Sequence, residues 1–284
     1  MPAEPREVNT PAAPVWVLLR GWARGQDHWG DFPARLQAAW PGARVITPDL
    51  PGNGRRRAER SPARVADLTD DLRAQVRLQM RLQGLPPDPM HTQARQQRPV
   101  PVHLLALSMG AMVACDWAHR HPGEVARLAL LNTSLRRFSP WHHRLQPGAL
   151  WRLLGCLARR ADASTWERTI LALTAHRPRQ PGALLADWTR LREQQPVQAA
   201  NLWRQLWAAA RHAGPAGRPP VPLLLMASRQ DQLVNVRCSQ ALARAWQAPL
   251  RVHPWAGHDL PLDDPDWVLR QLGAPAAGNR GGEH

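Results

Sequence analysis

Lysine and tyrosine are absent from this sequence, phenylalanine and isoleucine occur twice each, and cysteine only three times. With no lysine, all 37 basic residues are arginine, and against 22 acidic residues they leave a formal charge of +15. Such a balance ordinarily suggests nucleic acid or an anionic membrane as partner. Here the all-or-none choice of arginine, together with scarce Tyr, Ile and Phe and abundant Ala, Pro and Trp, reads as a nucleotide bias of the genome as much as selection for phosphate binding. No recognition-helix motif or aromatic strand platform accompanies the charge, so nucleic-acid binding is set aside.

The three cysteines, Cys115, Cys156 and Cys238, are far apart and lie in apolar or helical contexts. An odd count without a Cys-x-x-Cys pair gives no disulfide framework, and no His/Cys cluster points to a metal site. No cofactor motif is present. Long apolar runs are missing too: the first run, Val15–Leu19, has five residues, too few for a signal-peptide core or a membrane span. A cytoplasmic protein without a membrane span is expected. Proline and glycine number 29 and 19, together 48 of 284 residues or about 17%, below the roughly 25–30% of low-complexity chains. With 44% apolar residues the chain can bury a sizeable core.

What is present is a regular alternation of short apolar runs with helical patterns, the mark of a parallel sheet wrapped by helices. Strands are expected at Val15–Leu19, Arg44–Thr47, Val102–Leu107, Leu128–Leu131, Val221–Ala227 and Leu250–His253. Helices are expected over Gly30–Trp40, Ala63–Leu82, Gly110–Arg120, Val236–Trp246 and Pro265–Leu272. A polar, proline-rich surface loop is expected at Leu85–Pro101. From Thr133 to Pro220 no strand signal appears, and the stretch reads as helical. Leu150, Leu153, Leu154 and Leu157 follow i, i+3, i+4, i+7, and proline-rich breaks bound and divide it.

The strongest chemical signal is Leu104-Leu105-Ala106-Leu107-Ser108-Met109-Gly110, where a buried strand runs directly into a helix of small residues with one serine at the corner. Such a corner exposes the hydroxyl above the sheet edge, and crowding of strand and helix demands small residues two before and two after. The helix start also offers free amides, Met109 first, to a developing negative charge. Serine needs a base. Most of the twelve histidines read as helix-terminal or solvated, His176 and His212 among the latter. His258 instead follows the last strand in Pro254-Trp255-Ala256-Gly257-His258-Asp259, at a strand's carboxyl end, where parallel sheets assemble their sites. Asp231 follows the strand before it and can orient the imidazole. Asp263, Asp264 and Asp266 read as acidic residues at the start of the last helix.

With Ser108, Asp231 and His258 in this order, each after a strand, the sequence resembles the α/β-hydrolase superfamily from Val15 to Leu272, and specifically its lid-bearing serine esterases. Asp49-Leu50-Pro51-Gly52-Asn53-Gly54 is similar to the family's Asp-x-Pro-Gly-x-Gly loop, and His121-Pro122-Gly123-Glu124-Val125 to its His-Pro-Glu-x-Val element. The resemblance implies an α/β-hydrolase fold, a mostly parallel sheet flanked by helices, with residues 1–133 and 219–284 as the core and 134–218 as an inserted helical lid. It implies Ser108 as nucleophile, His258 as general base and Asp231 as orienting acid, with the backbone amides of Trp22 and Met109 as oxyanion donors and Gly21 and Trp22 against the substrate. Two positions depart from the pattern: Ala106 stands for the first glycine of the serine corner, and Arg20 for the histidine before Gly21. A serine nucleophile excludes the dehalogenase and epoxide-hydrolase branches, which use aspartate there.

The expected chemistry is hydrolysis of a carboxylic ester or thioester, with a small-molecule ester or acyl compound as substrate. The stretch 134–218 holds six of the fourteen tryptophans, and 14 Arg against 4 acids give it +10 of the total +15. One reading is a lid with its own tryptophan and leucine core and arginines outside. The other is an apolar acyl tunnel under a basic rim, suited to an esterase that demethylates an acyl chain on an acidic acyl carrier protein, whose Gly-Trp pair Gly21-Trp22 resembles. A non-catalytic binding protein on the same scaffold is the alternative of a different class.

Overall fold

A computed structural model of the chain describes residues 13–85 and 100–274. Six strands form one sheet: β1 (Val15–Leu19), β2 (Arg44–Ile46), β3 (Val102–Leu107), β4 (Val125–Leu131), β5 (Leu223–Ser228) and β6 (Leu250–His253). Their order is β2-β1-β3-β4-β5-β6, and every neighbouring pair is parallel. Covered on both faces, such strands become near-continuous apolar runs, which is why β1 reads Val-Trp-Val-Leu-Leu and is buried throughout.

Period-2 alternation divides that run between two cores. Val15, Val17 and Leu19 pack with α2 (Val65–Leu82), α3 (Met109–Arg120) and α9 (Arg237–Trp246). Trp16 and Leu18 face α1 (Phe32–Ala39) and α11 (Pro265–Gln271). Helix α2 buries Val65, Leu68, Leu72, Val76 and Met80 at helical spacing. Each such side chain taken from water is worth roughly 1.5–3 kcal/mol. Helix α3 is buried on nearly every side, which explains its run of small residues.

Between β4 and β5 lie five helices: α4 (Trp141–Arg144), α5 (Pro147–Ala158), α6 (Ala163–Thr174), α7 (Pro181–Gln194) and α8 (Ala199–Arg211). A short α10 (Leu260–Asp263) precedes α11. The inserted helices share a small core of Ala149, Leu153, Cys156, Trp166, Ile170, Leu173 and Trp188. Of the insertion's tryptophans, Trp166 and Trp188 enter that core, whereas Trp141, Trp151, Trp203 and Trp207 are 52–72% exposed.

Strand β4 starts three residues earlier than its apolar run, because Val125 and Arg127 pair with β3 around an unpaired Ala126, although Ala126 and Arg127 are only half-buried. The expected loop at Leu85–Pro101 falls mostly on 86–99, outside the described residues. All three cysteines are buried and unpaired. No described helix is long and apolar enough to cross a membrane.

Candidate active site

The chain leaves β1 towards β2 on one side and returns to β3 on the other, so the order of the strands reverses between β1 and β3. Ligands of open parallel sheets bind beyond the strand ends at such a reversal. The loop Arg20–Arg24 after β1 and the Ser108 corner after β3 meet there.

Ser108 holds φ 59° and ψ −120°. This region is costly for a non-glycine residue and persists only where its surroundings enforce it. The Ser108 amide donates to Leu131 O at 2.9 Å, and the Thr133 hydroxyl donates to Ser108 O at 2.9 Å. Close approach accounts for the neighbouring small residues. A Cβ on Gly110 would lie 2.4 Å from Arg20 O, and one on Gly21 would lie 3.0 Å from the Ser108 Cβ. Ala106, fully buried, occupies the position of the expected glycine without displacing the corner.

His258 Nδ1 lies 2.7 Å from Asp231 Oδ2. A carboxylate only accepts, so Nδ1 carries a proton, which in the neutral ring leaves the lone pair on Nε2. The other oxygen, Oδ1, accepts from the amides of Leu233 and Val234 at 2.8 and 2.9 Å. Asp231 is thus oriented from both sides and buried behind the histidine.

Several residues that supported no expectation hold these loops. Asn132, just after β4, donates to His258 O at 2.7 Å and to Ser228 Oγ at 3.0 Å, while its Oδ1 accepts from Ser228 N at 2.8 Å. The polar run Asn132-Thr133-Ser134 straight after a buried strand is the signal that could have found it. Arg20, the departure from the family's histidine, donates to both oxygens of Asp259 at 3.2 and 2.6 Å and lies over the Trp29 ring. It thereby ties the β1 loop to the residue next to His258.

Two expectations are corrected. Asp263 does not serve the start of the last helix. Its carboxylate accepts from Gly257, His176 and Arg177 amides, joining the histidine loop to the segment after α6, while Asp264 caps α11 through Trp267. Burial pushes Asp263 up in pKa, and those three amides pull it back. His212 is half-buried rather than fully solvated, with its Nε2 out of reach of water, and this burial lowers its pKa to about 4.

Ser108, Met109, Gly21, Trp22 and His258 line one cavity of about 210 Å³. Its walls are Leu150, Leu153, Leu154 and Leu157 of α5 facing Leu202, Trp203 and Leu206 of α8. The Trp22 indole donates to Leu202 O at 2.9 Å, fixing the ring at the junction of core and insertion. Met109 opens α3, where first-turn amides have no intrahelical partner. No group of three or more His, Cys, Asp or Glu suited to a metal occurs among the described residues.

The model of the alpha/beta hydrolase family matches residues 16–271, nearly the whole chain. The chain belongs to the α/β hydrolase family. Among its relatives, the pimeloyl-[acyl-carrier protein] methyl ester esterase of Methylococcus capsulatus is 30% identical over 81% of this hydrolase and 82% of that protein. The protein of the same name from Aromatoleum aromaticum is 36% identical over 43% of this chain, a match that spans 38% of the relative. A solved hydrolase from Pseudomonas aeruginosa shares the fold with a TM-score of 0.67, at 21% identity over 93% of this hydrolase and 92% of that chain.

Proposed function

We propose that this hydrolase cleaves the methyl ester of an acyl chain borne by an acidic acyl carrier protein, in the cytoplasm where such a carrier works. The observation that carries the chemistry is the His258–Asp231 hydrogen bond of 2.7 Å beside a cavity that also holds Ser108. The substrate rests on the likeness to relatives so named, the apolar cavity and the positive insertion.

In this reading Ser108 Oγ attacks the ester carbonyl carbon while His258 Nε2 takes its proton, and Asp231 stabilises the imidazolium and keeps its tautomer. The carbonyl oxygen becomes an oxyanion facing the Trp22 and Met109 amides. Collapse breaks the bond to the methoxy group, which leaves as methanol with the proton from His258. Water, deprotonated by the same imidazole, then releases the acyl chain as a free carboxylate and restores Ser108. Residues 134–218 act as the lid: α5 and α8 sheath the chain, and the arginines around them meet the carrier's acidic surface.

Two experiments test this. A fluorophosphonate probe is expected to label the intact protein and not Ser108→Ala; no Ser108-dependent label removes the hydrolase chemistry. Changing Arg136, Arg137, Arg152, Arg159, Arg204 and Arg211 to Gln is expected to raise KM for a carrier-bound methyl ester about tenfold or more and to flatten its salt dependence, with a free methyl ester little affected. Equal hydrolysis of the carrier-bound ester by that variant removes the carrier.

A further inference from the structure

The turn Gly21-Trp22-Ala23-Arg24 closes with Arg24 N donating to Gly21 O at 3.4 Å, and Ala23, its third residue, has φ +59°. A positive φ at this place in a turn is glycine's conformation. An alanine held there needs outside support. The support comes from the insertion. Gln205 of α8, fully buried, accepts from the Ala23 amide at 3.2 Å through Oε1. Its Nε2 donates to Asn53 Oδ1 at 2.8 Å and Pro51 O at 3.2 Å, which fixes which end of the amide faces Ala23. The same helix, through Leu202 O, receives the Trp22 indole. Asn201, one turn earlier, is equally buried but serves a different loop, accepting from Ser61 N and donating to Glu59 O.

We propose that Gln205 is a positioning residue: by accepting from the Ala23 amide it holds the turn that aims the neighbouring Trp22 amide at the Ser108 site, so the oxyanion pocket is complete only with α8 seated. This rests on the serine-hydrolase reading above. It makes α8 part of the catalytic geometry rather than a cover over it, and assigns to the insertion a contribution to kcat separable from substrate binding.

The test compares Gln205→Leu, Gln205→Glu and Asn201→Leu with the wild type in three readouts: the rate of Ser108 labelling by a fluorophosphonate, kcat and KM on a p-nitrophenyl ester, and the thermal midpoint. Gln205→Leu is expected to slow labelling and lower kcat about 10- to 100-fold with KM nearly unchanged, the cost of a misaimed oxyanion donor. Gln205→Glu keeps an acceptor for Ala23 but sets its second oxygen against Pro51 O and Asn53 Oδ1, so it is expected to label faster than Gln205→Leu despite a lower thermal midpoint. Asn201→Leu is expected to lower the midpoint while leaving the labelling rate within about threefold of wild type. Wild-type labelling by Gln205→Leu overturns the proposal, as does an equal slowing by Asn201→Leu, which would reduce the effect to seating of the helix. Should Gln205→Leu not fold, amide exchange on the unaltered protein decides: Ala23 is expected to be protected, and rapid exchange there overturns the proposal. A wild type that Ser108 probes do not label overturns the hydrolase reading and this inference together, whereas a labelled wild type with an indifferent Gln205 overturns this inference alone.

Discussion

Arg20 and Asp259 form a buried two-pronged ion pair, with side chains 5% and 3% exposed, that clasps the β1 loop to the residue following His258. The Asp259 amide also donates to Thr174 O at 2.7 Å, so core, histidine loop and α6 meet at one residue. Removing one partner of a buried pair strands the other charge, at about 3–5 kcal/mol. Arg20→Met and Asp259→Leu should each cost that much in urea denaturation, and the double variant should recover most of it. A loss under about 1 kcal/mol for either single change would show that the pair holds nothing.

Crowding at the serine corner separates two glycines. Gly110→Ala places a methyl 2.4 Å from Arg20 O and should prevent a soluble fold or lower the thermal midpoint by more than about 10 °C. Gly21→Ala places one 3.0 Å from Ser108 Cβ and 3.4 Å from its Oγ, a crowding that a shift of a few tenths of an ångström can absorb. It should fold, with kcat for a small ester reduced about tenfold or more. Wild-type kcat in Gly21→Ala would contradict the placement of Gly21 against Ser108 as the proposed nucleophile.

Asn132 should behave as a support for His258. Asn132→Ala leaves Ser228 N and His258 O without their partner, so a loss of about 1–3 kcal/mol is expected. Because His258 would lose its anchor, kcat/KM for an ester should fall more than this stability loss can explain at a temperature where the variant stays folded. Unchanged kcat/KM would make Asn132 purely structural.

Acid should weaken the fold before its carboxylates titrate. His28 is held neutral, well below the ordinary histidine value, by burial and then by the charges of Arg24 and Arg20. Burial likewise brings His212 to about 4 and lowers His103. These groups bind protons in the unfolded chain near pH 6.5 but not in the native one, so stability falls as pH drops below about 6.5. His212 alone contributes roughly 3 kcal/mol by pH 4. The urea midpoint should decline from pH 7 to 5, and His212→Gln should flatten that decline. A midpoint independent of pH over this range would contradict burial of neutral imidazoles.

Much of the fold was legible because fully covered parallel strands and amphipathic helices write their burial into local order: β6 and the start of α11 fall where their runs predict. The serine corner was legible for the same local reason, since strand, turn and small-residue helix are contiguous. Asn132, Gln205 and the true partners of Asp263 were not. Each acts through a contact with residues far along the chain, and periodicity carries no record of partners. His212 misled because a histidine among arginines looks wet, whereas it is the half-buried cap residue of α8, whose last carbonyls are held by Arg144.

The order of the sheet also governs when the protein can first act. Ser108 receives its amide partner from β4, Asp231 follows β5, and His258 lies beyond β6, the outermost strand. A chain emerging from the ribosome therefore carries Ser108 long before His258, and all of the inserted helices before β5 is available to extend the sheet. On the serine-hydrolase reading proposed above, a nascent chain that stops short of His258 is therefore expected not to hydrolyse an ester.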